Sequence, residues 1–116
     1  MYYKIGLDDW GYWSLKACKT RRAKKYVRIA SFTSRQKIFD YARLYLQNTK
    51  ETLIDKLDFT VKQKNVIKDI IDAVYFNYCS WSLFCENVVN SDKGLDGLLN
   101  LIDKGLTANK IVNQYI

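Results

Sequence analysis

Two six-residue runs near the N-terminus constrain the fold of this chain more than any other feature. Across Tyr2–Leu7, the residues Tyr3, Ile5 and Leu7 fall on one side, and Tyr2, Lys4 and Gly6 on the other. From Trp13 to Cys18, Trp13, Leu15 and Ala17 face one way, against Ser14, Lys16 and Cys18. A period of two is the mark of half-buried strands. Between the runs, Asp8-Asp9-Trp10-Gly11 has the chemistry of a hairpin loop, with Gly supplying a positive φ. Tyr26–Phe32 is β-branched and aromatic enough for a third strand, reached through the basic loop Lys19–Lys25. The expected result is a three-stranded meander. Its rival is a helix from Asp9 to about Lys25, because Leu, Lys, Ala and Arg are good helix formers.

The remainder reads as helix. Thr33-Ser-Arg-Gln36 fits a capping box, and Ile38, Tyr41, Ala42, Tyr45 and Leu46 make the buried stripe of a helix over 34–48. A short helical turn is expected over Lys50–Leu57. Thr60-Val-Lys-Gln63 offers a second capping box, opening a long helix that stops near Asn90–Gly94. Its stripe runs through Ile67, Ile70, Ile71, Val74, Tyr78, Trp81, Cys85 and Val88. Phe76, Leu83 and Phe84 lie off that stripe, which predicts cover on more than one side. Leu95–Lys104 reads as an amphipathic helix closed by Gly105, and Thr107 caps a last helix with Ile111, Val112 and Tyr115 inward. The fold class is α+β: a small N-terminal antiparallel sheet packed on a mostly helical body of four to five helices. Residues 1–116 form one domain, a basic meander (1–33) followed by a helical part (34–116).

Composition removes several chemistries. At 116 residues, burial of about two-thirds of the unfolded surface is expected. The chain has no His, and its three cysteines show no CxxC spacing, so the usual zinc sites and the Ser-His or Cys-His pairs are out of reach. Cys18, Cys79 and Cys85 read as reduced thiols, and no Gly-rich phosphate loop occurs. No run of about 18 apolar residues and no signal-peptide core are present, pointing to a soluble cytoplasmic protein with no membrane partner. No metal and no cofactor are implied.

Charge is segregated. Residues 1–50 hold 12 Lys or Arg against Asp8, Asp9 and Asp40, whereas residues 51–116 hold 7 Lys against 9 acidic side chains. Solubility alone needs no such division, so one end is built for an anionic partner. Lys19, Arg21, Arg22, Lys24, Lys25 and Arg28 would grip phosphates, with Arg35 and Arg43 extending the patch along the first helix. Trp10, Tyr12 and Tyr26 could stack on unpaired bases.

Two local resemblances bear on this reading. Strand–Asp–turn, written Ile5-Gly6-Leu7-Asp8, resembles the opening of RNase H-like and RuvC-like nucleases, in which a strand-end Asp holds catalytic Mg²⁺. A two-metal site needs several convergent carboxylates. The likeness covers about 45 residues here, and the first helix offers only Asp40. Asp8 and Asp9 are therefore read as turn formers. Leu98–Ile116 looks like the first two helices of a helix-turn-helix. The recognition helix is missing, because the chain stops at Ile116, and the pair is read as a hairpin closing the core.

The expected function is a non-catalytic nucleic-acid-binding accessory or regulatory protein that uses its basic hairpin loop. The alternative partner is an acidic protein or nucleoprotein surface. In that case the chain would resemble small phage or mobile-element proteins that inhibit another machine, such as a CRISPR nuclease. Oligomeric state is open.

Overall fold

The two alternating runs pair as read. In the computed structural model, which describes residues 2–20, 22, 25–48 and 59–116, β1 (Tyr2–Leu7), β2 (Trp13–Cys18) and β3 (Val27–Phe32) form an antiparallel sheet in the order β1-β2-β3. The expected short helix over Lys50–Leu57 lies outside the described residues, as do Arg21 and Lys24. The rival helix over Asp9–Lys25 is overturned by the β1–β2 pairing, which runs from Tyr2 opposite Cys18 to Leu7 opposite Trp13.

Among the described residues five α-helices follow: α1 (Arg35–Tyr45), α2 (Val61–Phe76), α3 (Trp81–Asn90), α4 (Gly94–Asp103) and α5 (Ala108–Tyr115), with a 3-10 turn at Leu46–Asn48. Four of them open on a Ser or Thr whose oxygen accepts a first-turn amide: Ser34, Thr60, Ser80 and Thr107. Thr60 and Gln63 form the expected reciprocal box. At α1 the cap is Ser34, one residue later than expected, and Gln36 bonds Asp40 along the helix. Ser34 takes the role because its own extended backbone turns the chain out of β3.

The single long helix expected after Thr60 is two. Asn77 caps α2 with its side-chain amide on the Ala73 carbonyl at 2.7 Å, Tyr78 takes a left-handed φ of 58°, and Ser80 starts α3. The periodic stripe runs straight through this break, yet Tyr78 is fully exposed. Phe76 and Leu83 are also exposed, so the second covering layer expected there is absent, whereas Phe84 is buried.

One core joins sheet and helices. Leu15 and Phe32 meet Ile38, Tyr41, Ala42 and Leu44 of α1, which lies between the sheet and the other helices. Tyr41 stacks on Tyr45, tilts against Phe32 and hydrogen-bonds Ser82 at 2.7 Å, and burial pushes its phenol well above the ordinary pKa. The Trp81 indole N–H donates to the Tyr45 carbonyl. Ile111 and Val112 of α5 are fully buried, and Tyr115 meets Phe84 edge-on. Among the described residues no helix is long and apolar enough to cross a membrane.

Candidate nucleic-acid interface

Pairing register decides which side chains share the outer face of the sheet. Directly opposed residues in an antiparallel pair lie on one face. Leu15, which is buried in the core, marks the inner face together with Ile5 and Ala30. On the outer face, Lys4 stands opposite Lys16, and Lys16 opposite Arg28. Three cations therefore form one row across all three strands. Beside it runs a row of small residues, Gly6, Ser14 and Ser31, in which the two hydroxyls bond at 2.7 Å. Ser14, at the centre of that row, is buried, while Gly6 and Ser31 are partly exposed.

Arg28 reaches this face through a β-bulge. The β2–β3 register shifts between Leu15, opposite Ala30, and Lys16, opposite Arg28, leaving Ile29 as the extra residue. Without the shift Arg28 would stand opposite Ala17 on the inner face. With it, Ile29 and Ala30 both pack against the core, and Arg28 swings outward.

The basic loop continues from the end of this row. Lys19, Arg22 and Lys25 are exposed, at the end of the sheet where β2 leaves and β3 enters. The other expected residues divide. Tyr26 is half-buried with the Lys4 ammonium 3.9 Å over its ring, so its face is already engaged. Trp10 is 85% exposed and Tyr12 is exposed, but both sit in the β1–β2 turn. That turn lies one strand length, roughly 17–20 Å, from the basic loop, because successive meander connections alternate ends.

Arg35 and Arg43, expected to extend the patch, each lie against aromatic rings. Arg35 lies over the rings of Trp13 and Phe39 at 5.9 and 5.3 Å, and Trp13 belongs to the inner face. Arg43 lies 4.9 Å from the Phe59 ring and 3.8 Å from Asp40, with its Nε buried and unpartnered. Arg43 is half-buried in the helical body, whereas Arg35 is exposed and bridges a ring of β2 and a ring of α1. Lys4 and Lys16 were not among the expected contacts. Their outward phase was visible in the alternation, but their alignment with Arg28 depends on the bulge.

The carboxylate pair has a local job. The Asp8 Oδ1 accepts the Trp10 and Tyr12 amides, both at 2.9 Å, while the Asp8 amide donates to the Tyr12 carbonyl and Gly11 adopts a φ of 85°. Asp8 thus closes the turn. Asp40, the other carboxylate of the nuclease-like reading, is bonded to Gln36 and Arg43. Among the described residues no three His, Cys, Asp or Glu side chains come together. Replacing Asp8 by Ala should cost about 1 kcal/mol, comparable with losing a helix cap, and lower the Tm by about 4 °C. Asp9→Ala should leave the Tm nearly unchanged. Sub-millimolar Mg²⁺ should not move the amide resonances of residues 6–11, and saturable shifts there would reinstate a metal site.

The cysteines are free thiols. Cys18, at the end of the outer face, is buried and donates to the Thr20 carbonyl, and Cys85 lies in the core where burial raises its pKa. No protein-family model, no curated protein and no solved structure matches this chain.

Proposed function

We propose that the chain is a non-catalytic cytoplasmic protein that binds nucleic acid across the outer face of its sheet, the basic loop extending the grip at one end. The observation that carries this reading is the row Lys4–Lys16–Arg28. Like charges directly opposite one another destabilise a sheet, and a polar neutral residue at the centre would serve solubility as well. A row of this kind is favourable once an anion lies over it. A phosphate backbone is such an anion, and flexible Lys and Arg side chains release its counterions without demanding exact placement. An acidic protein surface, as in a nucleoprotein machine that the chain would inhibit, offers less regular charge.

The test is binding of a fluorescent 20-mer, single- and double-stranded, as salt is raised. Six described cations can contribute, Lys16, Lys19, Arg22, Lys25, Arg28 and, by leaving the Tyr26 ring, Lys4. If all six meet phosphates, log affinity against log salt should have a slope of about −5, an approximately thousandfold loss between roughly 50 and 200 mM. No binding of either form at 50 mM salt would sink this reading in favour of an acidic protein partner.

A further inference from the structure

The joint between α2 and α3 displays an aromatic side chain where the fold makes use of its backbone alone. The Tyr78 amide donates to the Tyr75 carbonyl at 3.0 Å and the Cys79 amide to the Val74 carbonyl at 3.1 Å. This helix-ending pair of bonds needs a left-handed residue, here Tyr78 at φ 58°. Helix α4 ends in the same way, with Gly105 donating to Ile102 and Leu106 to Leu101, and there the left-handed residue is Gly at φ 85°. Glycine avoids the Cβ strain of that conformation; tyrosine does not. The Tyr78 side chain is nevertheless 100% exposed, so no packing within the chain compensates for the strain.

A second exposed aromatic lies two residues earlier in the chain. Phe76 is 85% exposed and lines a shallow groove between α2 and the start of α5 with Asp69, Asp72, Ala73, Ala108 and Asn109. Residues 69, 72 and 76 share one face of α2 by helical spacing. Both charged groups in this lining are carboxylates. The groove therefore has the wrong sign for a phosphate backbone. A two-fold contact that joined this groove to itself would bring four carboxylates together with no cation in either lining, in a chain of net charge +7.

We propose that this aromatic and acidic groove docks a partner protein through an apolar segment flanked by Lys or Arg, on a surface separate from the outer face of the sheet. Apolar anchors with complementary charge at the rim are the usual anatomy of such a contact. Exposed aromatics of this kind lose water only when covered, and the backbone motif fixes the point from which the Tyr78 side chain projects.

The probe is a synthetic 16-residue helical peptide with leucines on one face and arginines on the other, titrated into isotopically labelled full-length chain. A peptide with glutamate in place of arginine is the control. The arginine peptide should shift the amides of Asp69, Asp72, Phe76, Tyr78 and Asn109 saturably, and the glutamate peptide should not. Phe76→Ser combined with Tyr78→Gly should weaken the arginine peptide by at least about tenfold. Tyr78→Gly alone should raise the Tm by roughly 2–4 °C, showing that the loss is not unfolding. Absence of groove shifts, equal response to both peptides, or unchanged affinity in the double variant would overturn the proposal. So would groove shifts that grow with protein concentration without peptide, since these would assign the surface to a second copy.

Discussion

Lys16→Glu is expected to weaken binding of a 20-mer on the order of tenfold to a hundredfold at 50 mM salt, while making the folded protein more stable. Lys16 is the middle of the cationic row, with Lys4 on one side and Arg28 on the other. Reversing its sign removes one phosphate contact and sets a carboxylate against the polymer. The salt slope should therefore fall from about −5 to about −3. The same change converts two like-charge cross-strand pairs into opposite-charge pairs, which should raise the Tm by roughly 2–4 °C. Lys62→Glu, at an exposed position in the first turn of α2, alters net charge equally. It should leave binding within about twofold, as surface charges distant from a contact are weakly felt through salt. If the two variants bind alike, net charge governs association and the row has no special role. If Lys16→Glu lowers the Tm, the three cations do not oppose one another and the argument from their cost is lost.

Truncation after Gly105 should abolish the native state. It removes Ile111 and Val112, both fully buried, and Tyr115, which packs on Phe84 and whose carbonyl accepts from the Asn87 side chain at 2.9 Å. Each large apolar side chain contributes about 1.5–3 kcal/mol by burial. Losing all of α5 therefore costs roughly 5–8 kcal/mol, against a total of about 5–15 kcal/mol for an ordinary domain. Loss of near-ultraviolet dichroism and binding of a hydrophobic dye are the expected readouts. Ile111→Ala is the graded form, expected to cost about 2–5 kcal/mol and lower the Tm by roughly 10–20 °C. At temperatures where that variant is folded, it should bind the 20-mer as the parent does. A truncated chain that still melts cooperatively near the parent Tm would show that α5 is peripheral.

What was legible in the sequence was local. The Asp8–Gly11 turn, the Thr60–Gln63 box and the Gly105 stop each depend on side chains within a few residues of the backbone they serve, and each is found where expected. The break at residues 77–80 also had local signals, since Asn77 and Ser80 are good cap residues. An apolar stripe that stays in phase through Tyr78 outweighed them, and periodicity cannot tell one long helix from two that share a phase. The candidate interface was half legible. The basic loop stands out in any composition plot, whereas the row Lys4–Lys16–Arg28 joins residues from three strands and depends on a register that no local pattern encodes. The ring contact of Arg43 was hidden for a similar reason. Its partner ring, Phe59, lies far along the chain, and a cation packed on a distant aromatic looks on paper like a free one.

The extra residue at Ile29 has a consequence for self-association. Among the described residues, β3 is an edge strand in the order β1-β2-β3, with its outer backbone groups unpaired by the sheet. Edges of this kind template the addition of further strands, more so when apolar, and Val27 at this edge is 72% exposed. A bulge interrupts the even spacing that an incoming strand would have to match, and it tightens the local twist. The kink that turns Arg28 toward solvent thus also blunts the edge against polymerisation. Restoring regular pairing in β3 would both misdirect a cation and open the sheet to its copies.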